Sequence, residues 1–165
     1  MNAAIDTDNS TAVSVEAAKK WTMVSTPEQK KSGLYSADDV INAYLAGKKK
    51  GFDEHKQILL EKFSSNLSIA QAKGSELFEF LSSMNIKIFH LFLKPSSITN
   101  FSILCVVGQD DFLSEKISEA YEKTIEEKKK VRSGTFGMEF SFMPDGNINS
   151  KKIASDGYIF KYGKK

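Results

Sequence analysis

Ser82-Ser83-Met84-Asn85-Ile86-Lys87-Ile88-Phe89-His90-Leu91-Phe92-Leu93 is the stretch in which the chain changes rhythm. Before Met84, apolar residues recur every three or four positions, the spacing of a helix with one buried face; after Asn85 they run almost without interruption. Ile86 to Leu93 is too densely apolar for a surface element, and Lys94-Pro95-Ser96-Ser97 ends it with turn residues. That pattern predicts a central strand covered on both sides.

Downstream of this stretch, Phe101 to Val107 reads as the next strand. Asp110 and Asp111 then sit where a helix N-terminus accepts negative charge, and Leu113, Ile117, Ala120, Tyr121 and Ile125 supply an inward stripe before the charged run Glu126 to Arg132. Phe136, Met138, Phe140 and Phe142 alternate with smaller or polar residues, as do Tyr158, Phe160 and Tyr162, which is the two-residue period of half-buried strands. Pro144-Asp145-Gly146-Asn147 gives a turn, and a polar loop runs on to Asp156-Gly157.

Upstream, Ser68 to Met84 reads as a helix through Ala70, Leu77, Leu81 and Met84, with Gly74 as its weak point. The chain from Ser68 onward is therefore α+β, in the order helix, strand, strand, helix, strand, strand. This is a ferredoxin-like succession begun one strand late, with a four-stranded sheet and its helices on one face.

Residues 36 to 66 form a helical arm. Ser36-Ala37-Asp38-Asp39 places a hydroxyl three residues before a carboxylate, a helix-start signature. Val40, Ile41, Tyr44, Leu45, Phe52, Leu59 and Phe63 then fall near one stripe as far as about Ser65, interrupted only by Gly47-Lys48-Lys49-Lys50-Gly51. Residues 1 to 35 are rich in Ser, Thr, Asp, Lys and Ala and read as a flexible tail, with Trp21 and Met23 as a short anchor at most. The division is thus a tail (1–35), an arm (36–66) and an α+β domain (67–165).

Composition excludes several functions. Among 165 residues, 23 basic and 21 acidic side chains leave a net charge of +2, too balanced to create a strong nucleic-acid-binding field. The single cysteine, Cys105, lies inside an apolar run, so an internal disulfide or a cysteine-based metal cluster is impossible. No apolar stretch has membrane-spanning length, and the first residues lack the pattern of a secretory signal. A cytoplasmic protein with no membrane partner is the expectation.

No cluster of residues identifies a reaction or implies a cofactor, so a non-enzymatic interaction or assembly protein is expected. It would pair with a protein partner or a second copy through Val40, Ile41, Tyr44, Leu45, Phe52, Leu59 and Phe63, because the arm offers more apolar surface than a small domain covers. A second expectation is a nucleic-acid accessory protein, with Lys48, Lys49, Lys50, Lys128, Lys129, Lys130 and Arg132 on phosphates and Tyr158 and Tyr162 stacking on bases. A third is a metal-dependent enzyme at Asp110, Asp111 and Glu139, which requires those carboxylates to gather within reach of one hard cation. For the last two the simpler reading is structural: a solvated lysine face, capping aspartates and an outward glutamate. His55 and His90 lie too far apart in sequence to share a helical turn.

Overall fold

The computed structural model describes residues 20–23, 38, 41, 56–146 and 148–163. Its elements, in chain order, are β1 (Trp21–Met23), α1 (Lys56–Ser83), β2 (Ile88–Pro95), β3 (Asn100–Val107), α2 (Gln109–Phe112), α3 (Lys116–Val131), β4 (Gly137–Pro144), α4 (Ser150–Ser155) and β5 (Phe160–Tyr162). The architecture is α+β, with a five-stranded mixed sheet in the order β1-β5-β2-β3-β4.

The change of rhythm at Met84 and Asn85 is a helix stop. Asn85 takes a left-handed φ of 56°, its amide donates to the Ser82 carbonyl at 3.0 Å, and the Ile86 amide reaches back to Leu81 at 3.0 Å. This is a Schellman closure, and the Leu81 and Ile86 side chains join the same core, as that motif favours.

Helix α1 is 28 residues, about 42 Å long, where the sequence suggested one helix ending near Ser65 and another starting at Ser68. The intervening Ser64-Ser65-Asn66-Leu67-Ser68 is a poor helix former but is held by packing: Leu67 is buried, and the Asn66 amide donates to the carbonyls of Ile98 and Thr135, each at 3.0 Å. Tertiary contacts override local propensity here. The helix therefore runs unbroken through position 66, where the arm was expected to end.

Strand pairing departs from the ferredoxin-like expectation in two respects. The sheet has a fifth strand, β1, taken from the segment read as tail; it pairs antiparallel with β5 through Trp21↔Tyr162 and Met23↔Phe160. Burial of the Trp21 indole supplies the energy that orders these residues. In addition, β3 and β4 are direct parallel neighbours, from Asn100↔Gly137 to Val107↔Pro144, whereas a ferredoxin-like sheet splits each βαβ unit with an intervening strand.

Helices α1 and α3 contribute to one core on a single face of the sheet, with Phe63, Leu67, Ala70, Leu77, Leu81 and Ala120 against Leu91, Leu93, Ile103, Cys105, Met138 and Phe142. Leu91, Phe92 and Leu93 are all buried, as expected of a central strand covered on both sides. The second face carries its own cluster of Phe92, Val106 and Ile153, packed by Leu104, Met143, Ile148 and Tyr158. The segment read as a polar loop provides this cover. Helix α4 starts at Asn149, whose side chain accepts from the amides of Lys151 and Lys152, and it presses Ile153 onto the sheet.

Candidate interaction surface

Helix α3 positions the surface of most interest. Ala120 and Thr124 are its buried positions, so the side facing the sheet is narrower than the expected stripe. Tyr121 and Ile125, one and five residues past Ala120, lie on a flank and are 38% and 50% exposed; Leu113, just before the helix, is 76% exposed. The inward direction expected for these three is corrected. The small Ala120 and the hydroxyl of Thr124, which donates to the Tyr121 carbonyl at 2.8 Å, make the close approach to the sheet and turn the larger groups aside.

Two contacts show which way that flank points. Tyr121 meets Phe142 of β4 edge to face at 4.8 Å, and Lys128 Nζ reaches Glu139 of β4 at 2.6 Å. The opposite flank faces α1: Lys123 Nζ lies 5.8 Å from the Phe80 ring, and Glu127 meets Lys73. Tyr121 and Ile125 therefore lie above the outer edge of β4.

That edge is unpaired among the described residues, since β4 ends the strand order. Gly137 donates its amide to Thr99 O at 2.7 Å, and Asp145 donates to Val107 O at 2.7 Å, so the odd-numbered amides of this segment point toward β3. Successive backbone groups alternate sides along a strand. The amides and carbonyls of Met138, Phe140 and Phe142 consequently point outward, and Pro144 closes the series. A Cβ at the bordering Gly137 would stand 2.7 Å from Asn100 Oδ1, so the exposed Asn100 side chain would have to shift to admit it.

A cleft of about 470 Å³ opens at the start of β3 and β4, lined by Ser96, Asn100, Ser102, Lys128, Arg132 and Glu139 among others. Its carboxylate is taken by Lys128, and the Ser96 and Ser102 hydroxyls lie 3.4 Å apart. Between α1 and α3, Glu127 accepts from Lys73 at 3.2 Å, Lys123 at 3.2 Å and Lys130 at 3.3 Å. Burial alone would raise the Glu127 carboxyl, but these three ammonium groups outweigh it and bring it down to about 2. Lys73, which burial would lower, is raised by its bonds to Glu76 and Glu127.

The sequence-derived sites are distributed as follows. Asp111 Oδ2 accepts the Lys87 amide at 2.7 Å and, with Asp110, belongs to the first turn of α2 at the end of β3. Glu139 pairs in register with Ser102, five residues before Val107, which separates it from the aspartates by about 16 Å of strand. The three carboxylates are not brought together, and no group of three or more metal-ligating residues occurs among the described residues.

Of the basic set, Lys128 is engaged by Glu139 and Lys130 by Glu127, while Lys129 and Arg132 are exposed. Tyr162 packs at 5.4 Å from the Trp21 ring and 4.7 Å from that of Phe78. Tyr158 belongs to the second-face cluster, with Lys94 Nζ 5.7 Å from its ring. His90 is half-buried; burial and then Lys161 lower its pKa, against the opposing pull of Asp145.

Of the seven arm residues, Ile41 and Phe63 are buried in the chain's own core and Leu59 is half-buried. Val40, Tyr44, Leu45 and Phe52 lie outside the described residues, as do Lys48, Lys49, Lys50 and His55. No helix among the described residues is long and apolar enough to cross a membrane.

The β4 edge was not foreseen from the sequence. Its signal was present, because Gly137 to Met143 carries one charge and none of the lysines or internal prolines that guard exposed strands. No protein-family model matches the chain, and comparison with curated proteins and with solved structures returns no match.

Proposed function

We propose that this is a non-enzymatic interaction protein that accepts an extended segment at the outer edge of β4. The supporting observation is the outward direction of the backbone groups on this strand, with Phe140 half-buried between the buried Met138 and Phe142 and the exposed Tyr121 and Ile125 beside them. Added strands gain affinity from main-chain hydrogen bonds and specificity from side chains beside them, and this edge offers both. Relative to the arm-centred expectation the docking surface moves, because Ile41 and Phe63 are used internally.

Amide hydrogen exchange across residues 137–144 tests this reading, measured on the full chain with and without a synthetic octapeptide copying Gly137–Pro144. Slowed exchange at Met138, Phe140 and Phe142 in the presence of the peptide is the expected result. Identical exchange in both samples, at a concentration where the chain sediments as a monomer, removes the proposal.

A further inference from the structure

We infer that β1 is a latch, and that the seat it fills on the β5 edge is a second docking site, for an extended segment of a partner protein that carries a tryptophan where this chain places Trp21. The resident segment shows what the seat recognises. Among the described residues β1 is three residues long, pairs with β5 alone, and is held across 139 positions of sequence from Thr22 to Lys161. Its hold is concentrated in the buried indole, whose N–H donates to Gln71 O at 3.1 Å and whose ring fills the notch left by Gly74 in α1. Tyr162 meets that ring edge to face at 5.4 Å, and the Gly163 amide donates to Lys20 O at 3.2 Å, which starts the ladder. The remaining contacts are long: 3.4 Å from Thr22 Oγ1 to Lys161 O and 4.0 Å between Lys20 and the exposed Glu79. Main-chain pairing thus supplies general affinity, and the notch selects for an indole.

The seat is complete without its occupant. Gln71 O also accepts the Ser75 hydroxyl at 3.1 Å, so departure of the indole orphans no buried acceptor there. The Tyr162 ring keeps Phe78 at 4.7 Å, and β5 keeps its pairing with β2 through Phe92↔Lys161 and Leu93↔Phe160. Four strands, β5-β2-β3-β4, remain joined, and the notch stays open because Gly74 has no side chain to fill it. A preorganised site of this kind binds an extended segment with little cost of reorganisation. Because the latch is tethered, it competes at the effective concentration of an intramolecular ligand, and a partner's affinity falls in proportion to the fraction of seats left open.

Indole fluorescence tests the inference, because Trp21 is the only tryptophan in the chain. The probe is a synthetic peptide copying Glu16–Thr26, titrated with the full chain carrying Trp21→Ala, so that all indole emission comes from the peptide. Emission is expected to move to shorter wavelength and to saturate as the indole leaves water. Adding Gly74→Ala to that acceptor closes the notch, since the new Cβ would stand 2.5 Å from the indole Cζ2, and binding should weaken by about tenfold or more. With the indole gone from the chain itself, that second substitution raises helix propensity, so lost binding there is not lost folding. Trp21→Phe leaves a ring of the chain's own in the seat and should bind the peptide about tenfold more weakly than Trp21→Ala does; it carries the test if the alanine chain does not fold. No shift with any folded acceptor, or a shift that Gly74→Ala leaves unchanged, overturns the inference.

Discussion

The indole N–H of Trp21 donates to the backbone carbonyl of Gln71 at 3.1 Å, and the same ring covers Gly74 one turn later on α1. A Cβ at Gly74 would lie 2.5 Å from Trp21 Cζ2 and 3.0 Å from Ile103 Cδ1. Gly74→Ala should therefore destabilise by about 1–2 kcal/mol: helix propensity gains up to about 1 kcal/mol, but the hydrogen-bonded indole cannot slide away and overpacking wins. Trp21→Ala should cost about 3–5 kcal/mol. Urea unfolding measures both, and a stabilised Gly74→Ala would mean that Trp21 does not occupy this seat.

Asn66 joins α1 to two loops at once through its bonds to Ile98 and Thr135. Asn66→Ala leaves those carbonyls without their donor and should cost about 1–3 kcal/mol. Asn66→Asp should be worse at neutral pH, where a carboxylate would face two carbonyl oxygens, and should recover on acidification. Denaturant titrations at two pH values would show this crossover.

Glu127 couples stability to acid. Its carboxyl sits at about 2 in the folded chain against an ordinary 4.5, so the folded state binds the proton less readily than the unfolded state. The stabilisation is fully present above about pH 4.5 and is lost as pH falls from there toward about 2. Screening at the outer lysines holds its size to the order of 1–2 kcal/mol. Glu127→Gln should lower stability near pH 6 and reduce the difference between about pH 6 and pH 3; an unchanged difference would show that the three lysines do not hold this carboxylate.

Cys105 is fully buried, and burial pushes its thiol up to about 12. The thiolate is the reactive form, so a disulfide reagent should label the folded chain only at the rate at which it opens. Rapid, complete labelling without denaturant would contradict the buried position.

Much of this fold is legible along the chain, element by element. The strand at Leu91-Phe92-Leu93, the helix before Asn85 and the alternation from Phe136 to Phe142 all follow from periods of 2 and 3.6 residues set by backbone geometry. Where reading failed, a long-range contact outweighed a local signal: Asn66 carried α1 through a serine-rich stretch, Trp21 drew β1 onto β5, and Ile153 turned a polar loop into cover for Phe92.

Residue order alone was enough to specify the α+β class, the stop at Asn85 and the burial of Cys105, because each depends on neighbours within a few positions. Which strand lies beside which, and hence that β4 is left with an open flank under Tyr121 and Ile125, was settled by packing across the whole sheet. Strand adjacency is a contest among distant surfaces, and no period in the chain encodes its winner.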